Sequence, residues 1–162
     1  MAGSLVERMI GAAFLNVDTY EEVEHDRSAT RQAAVVVAMV AVAQAIGSSA
    51  LGFMGAGRAA VMALVGWAVW AGIAYLVGDK ILGGTASWGE LLRTLGFAQA
   101  PGVLMVLGLI PLLGTPILFV VSIWMLGAAF IGMRQALDFG NGKTMATVLI
   151  GWGAYVTLMA VF

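Results

Sequence analysis

Cysteine is absent from this chain, which excludes disulfides, thiolate metal sites and cysteine nucleophiles. Charge is scarce too: Asp, Glu, Lys and Arg make up 10% of the 162 residues, against about 25% in soluble domains. Too few polar groups remain to cover a chain that is 61% hydrophobic with a mean hydropathy of +0.97. A net charge of −1 leaves no basic stripe of the kind that tracks nucleic acid. Histidine occurs once, at His25, so a multi-histidine metal centre is not expected.

Long apolar runs are what the chain does have. Four charge-free stretches, 32–57, 59–78, 94–133 and 144–162, match or exceed the roughly 20 residues that a helix needs to cross a bilayer. The third is twice too long for one crossing. Its middle reads Pro111-Leu-Leu-Gly-Thr-Pro116, a turn composition. Splitting it there predicts five spans, at 33–54, 59–78, 95–113, 117–135 and 144–161, with Gly47-Ser-Ser as an earlier end for the first. The expected fold is an all-α integral membrane bundle, with 1–31 as an N-terminal helical segment and 32–162 as the membrane domain.

Loops on the cytosolic side of membrane helices collect Lys and Arg. With the N-terminus in the cytosol, Arg8, Arg27, Arg31, Lys80, Arg93, Arg134 and Lys143 all fall inside and only Arg58 outside. The segment 4–15 is too short to span, and Leu5, Met9, Ala12 and Phe14 mark it as a helix lying at the interface. It lacks the basic start and cleavage site of a signal peptide, so it is expected to stay on the chain. Ser87-Trp-Gly-Glu90 has capping-box spacing and predicts a short cytosolic helix, 88–99, leading into the third span.

The most polar stretch, Asp18-Thr-Tyr-Glu-Glu-Val-Glu-His-Asp-Arg27, admits three readings. Asp18 or Thr19 can cap a helix whose first turns hold Glu21, Glu22 and Glu24, where the dipole favours acids. Glu22 and His25 have the Glu-x-x-His spacing of di-iron bundles, which also need a second such motif, and Glu21, Glu24 and Asp26 could face a hard cation. The third reading is electrostatic, with Glu24 or Asp26 pairing Arg93 and Arg134 at the same membrane face. Inside the spans the polar residues are Gln44, Ser48, Ser49, Gln99, Ser122 and Thr157; the amides Gln44 and Gln99 could bond between helices or, with Ser48 or Ser49, line a path. No nucleophile, base and orienting group share one depth, so no enzyme activity and no cofactor are expected. Small residues such as Gly127, Gly132 and Gly151 suit close helix packing. The five tryptophans could be interfacial anchors or packing residues.

Three features together resemble the Yip1 (Rab-interacting membrane protein) family in its short bacterial form. They are Tyr20-Glu-Glu-Val-Glu-His-Asp26 before the first span, Gly96-Phe-Ala-Gln-Ala-Pro101 entering the third, and the five-span profile with a cytosolic N-terminus. Gly96, Phe97 and Pro101 match the family's Gly-aromatic-x-x-x-Pro pattern. The resemblance implies a non-enzymatic membrane-organising, scaffold or partner-binding role in a bacterial cytoplasmic membrane. The expected partners are the lipid bilayer and either a second copy or another membrane protein, with no nucleic acid. A small transporter or channel, formed by a homo-oligomer, is the competing expectation.

Overall fold

The computed structural model describes residues 3–47 and 53–161, with the side chains at 53–56, 59, 155–156 and 158–161 outside that description. The described residues form helices joined by short turns, without strands: α1 (Leu5–Ala13), α2 (Val17–His25), α3 (Ala29–Gly47), α4 (Phe53–Tyr75), α5 (Trp88–Phe97), α6 (Gly114–Ala136) and α7 (Asn141–Val161). Two irregular segments extend them. A π-helical turn, Leu76–Ile81, continues α4, and a 3₁₀ stretch, Ala100–Leu109, continues α5.

Four of these segments are long and apolar enough to cross a membrane: Ala29–Gly47, Ala60–Ile81, Trp88–Leu109 and Gly114–Ala136. The chain is therefore an integral membrane protein. The fifth expected span, 144–161, falls within α7, but six of its side chains are outside the description, and the count among the described residues is four. Residues 48–52, over which the first span was expected to run, are outside it as well.

The third candidate span begins at Trp88, earlier than the charge pattern suggested. The apolar segment long enough to cross, Trp88–Leu109, takes in the expected cytosolic helix 88–99, and Arg93 within it is buried inside the protein. Pro101 lacks an amide hydrogen, so the helix narrows there: Gln99 N donates to Gly96 O and Gly102 N to Gln99 O at 2.7 Å. The break at 110–113 follows the turn composition, with Leu112 at φ 66° and Pro116 admitted in the first turn of α6.

Glycines set how closely these segments approach. A Cβ on Gly96 would lie 2.7 Å from the Ala33 Cβ and 3.2 Å from the Trp67 ring, so α3 and α4 both press on α5 here. A Cβ on Gly102 would lie 2.5 Å from Val40 and 2.9 Å from the Met125 sulfur. Beside Gly127, by contrast, the described residues leave open space. The core runs from Tyr20 and Val23 through Val36, Leu91, Phe97 and Met133 to Leu137, all essentially without exposure. It lies nearer one end of the bundle, where most of the charged side chains gather.

Candidate functional site

The acidic stretch is itself a helix. α2 is capped by Asn16, whose Oδ1 accepts from Thr19 N at 3.3 Å, and not by Asp18 or Thr19. Glu22 and Glu24 therefore sit in its last turns rather than its first, at the negative end of the dipole. Two arginines offset that disadvantage.

The first is Arg8, on α1. Its side chain is 1% exposed, and its guanidinium spans three neighbours: Nη2 donates to Glu22 Oε1 at 2.8 Å and Asp26 Oδ2 at 2.6 Å, and Nη1 to Gln32 Oε1 at 2.9 Å. Glu22 Oε1 also accepts from Gly3 N at 2.8 Å. The Asp26 Oδ1 atom accepts from Ser28 N at 2.9 Å and from Ser28 Oγ at 2.6 Å. The Gly3 amide and Arg8 hold the Glu22 carboxyl below the usual range. Ser28 and Arg8 bring Asp26 down to about 2. One buried cation thus ties α1, the end of α2 and the start of α3 together.

The second is Arg93. It does not pair with a carboxylate but caps α2, donating through Nε to Val23 O at 2.9 Å and through Nη2 to Glu24 O. The Glu24 side chain is half-buried, and burial pushes its carboxyl up to about 7, with Glu90 and Asp138 adding repulsion against His25 and Arg93. Arg134 joins neither acid expected for it. Its Nε is buried without a hydrogen-bond partner among the described residues. His25 takes no part in the cluster, since its Nδ1 sits 2.8 Å from Glu21 O and both residues are exposed. Among the described residues, no three His, Asp or Glu side chains converge on a metal position.

Arg8 is the residue that the sequence reading missed. Leu5, Arg8 and Ala12 share a helix face, and a charge on the face that packs inward demands a partner. That pattern was the available signal. A second overlooked sign was Ser4-Leu-Val-Glu7, which forms a capping box as complete as Ser87-Trp-Gly-Glu90.

Trp67, Trp88 and Trp124 act as inter-helix donors: Trp67 Nε1 to Leu92 O at 3.0 Å, Trp88 Nε1 to Ala68 O at 3.4 Å and Trp124 Nε1 to Ala13 O at 2.7 Å. Trp67, Trp70 and Trp152 also wall a cavity of about 490 Å³ within the apolar zone. Gln44, Gln99 and Ser122 line it as well, alongside Met62, Met105 and Met125. Ser122 is engaged by Leu118 O at 2.8 Å. Ser48 and Ser49, expected beside Gln44, lie outside the described residues.

Phe97 is fully buried and Pro101 opens the 3₁₀ stretch, so Gly96, Phe97 and Pro101 form the junction on which α3, α4 and α5 meet. The family model of the Yip1 domain matches residues 12–162, spanning this junction and every membrane-crossing segment. The chain belongs to the Yip1 domain family. No curated protein and no solved structure matches it.

Proposed function

We propose that this Yip1-domain protein is a non-enzymatic organiser of a bacterial cytoplasmic membrane, with its charged end in the cytosol and α7 as the fifth span. The one-sided Lys/Arg distribution supports the orientation, and the 21-residue length of α7 supports the count, given roughly 20 residues per crossing. The observation that carries the functional reading is the double fastening of α2, by Arg8 on one side and Arg93 on the other. Two short helices are thereby held as a rigid hairpin, and its outer side chains Asp18, Glu21 and His25 stay exposed. A preformed, fastened surface binds with less ordering cost than a flexible tail.

The partner is a second copy or another membrane protein met at the cytosolic face. A photo-crosslinking residue at Glu21 in the reconstituted protein tests this. Adducts that disappear when the Arg8 contacts are removed are the expected outcome, and a chain that stays monomeric and adduct-free in native membranes contradicts the role. The transporter reading draws its support from Gln44 and Gln99 lining one cavity. Vesicles carrying the protein that show no flux of ions or small solutes would remove it.

A further inference from the structure

The α1–α2 hairpin has an apolar side that faces away from the bundle. Leu5, Met9 and Ala12 pack inward, while Val6 is 62%, Ile10 54% and Phe14 76% exposed. These last three follow each other at four-residue steps and form one continuous stripe. Leu15 and Val17, at the turn, extend it with 38% and 36% exposure. A stripe this dense is unusual for a surface bathed in water.

Its depth follows from the contacts of the tip. The open end of the hairpin lies at the charged end of the bundle, where Gly3 meets Glu22 and Arg8 meets Gln32 near the start of α3. At the other end, Ala13 O accepts from the Trp124 indole, Ala12 O accepts from Tyr20 Oη at 3.1 Å, and the Tyr20 ring lies over Gly132. Trp124 is twelve residues from the end of α6 at Ala136, roughly 18 Å along a helix that rises 1.5 Å per residue. The hairpin tip is therefore alongside the apolar body of a membrane span, whose exposed Ile123 and Leu126 flank Trp124 in sequence. Of the charges on the hairpin, Arg8 is paired within its base, and Asp18 and Glu21 lie exposed on α2.

We infer that the α1 side of the hairpin is set into the cytosolic leaflet, with the Val6–Ile10–Phe14 stripe solvated by lipid acyl chains and Asp18 and Glu21 of α2 left at the headgroup surface. The inference rests on the membrane-organising reading and deepens it. A wedge that occupies one leaflet alone expands that leaflet, and insertion of this kind responds to curvature and lipid packing.

The absence of cysteine makes site-directed spin labelling direct. The full chain carrying Ile10→Cys, Phe14→Cys or, as a control, Thr85→Cys is labelled and reconstituted in phosphatidylcholine–phosphatidylglycerol vesicles. Collision rates with oxygen and with a water-soluble nickel chelate are then compared. Labels at 10 and 14 are expected to meet oxygen several-fold more than nickel, and the label at 85 to show the reverse. Nickel-dominated collisions at both 10 and 14 overturn the inference, and so does shielding from both reagents, which would mean a protein cover. Because the two sites are one turn apart, a folding defect in one variant leaves the other to decide. Crosslinking at Glu21 reads the partner role separately, so loss of insertion with adducts retained sinks the wedge alone.

Discussion

At the scale of single residues, the fastening of α2 makes opposite demands on two carboxylates. Asp26, with a folded pKa of about 2 against about 3.9 unfolded, contributes stability that is complete above pH 4 or so and lost as the pH falls toward its folded value. Glu24 runs the other way. Its folded pKa of about 7 exceeds the unfolded value of about 4.3, so the folded state holds its proton longer. Stability then declines as the pH rises between those values and levels off above. Thermal unfolding in detergent micelles between pH 5 and 8 should show this decline, and Glu24→Gln should flatten it. An unchanged slope in that variant would assign the dependence elsewhere. For Arg8, the Glu22→Gln and Asp26→Asn single changes each leave one counter-charge, whereas the double variant leaves a buried cation alone. Removing the last partner of a buried charge costs roughly 3–5 kcal/mol, so the double variant should lose more stability than the two singles summed, measurable in the same unfolding experiment.

At the scale of elements, close backbone approach at Gly96 and the Trp124–Ala13 bond decide how helices meet. Gly96→Leu places a side chain where Ala33 and Trp67 already are, and overpacking of this kind costs about 1–3 kcal/mol. A lower melting temperature and reduced folded yield are the expected result, read by size-exclusion profile and thermal scan. Trp124→Phe keeps the ring but removes the donor to Ala13 O, a loss of about 1 kcal/mol that should appear as faster amide exchange at the end of α1 with α3 to α6 unaffected. Equal acceleration everywhere would place the bond's role in global stability rather than in holding the hairpin tip.

At the scale of the whole molecule, the charged ends of the segments are drawn together by a few bonds across long sequence distances: Thr85 Oγ1 to Asp138 Oδ2 at 2.6 Å, Lys143 Nζ to Leu82 O at 3.1 Å, and Arg93 to α2. Cysteines placed singly at Thr85 and Asn141 should react with a membrane-impermeant maleimide only in inside-out vesicles, and reaction in right-side-out vesicles would reverse the proposed orientation. The apolar lengths, the Pro111–Pro116 turn and the Ser87–Glu90 cap were legible in sequence because each depends on local composition or on groups within one turn. The partners of Arg93 were not, since Val23 and Glu24 carbonyls lie some seventy positions away and carry no side-chain signature. Arg134, expected beside an acid, received none for the same reason. By itself the sequence determined that the chain resides in a membrane and where most of its helices run, because hydrocarbon tolerates only long apolar helices with internally satisfied backbones. Only the tertiary structure decided that Arg8 is the hub of the charged end and that α1 and α2 fold back beside α6. Those outcomes depend on which buried polar groups find each other once the helices pack.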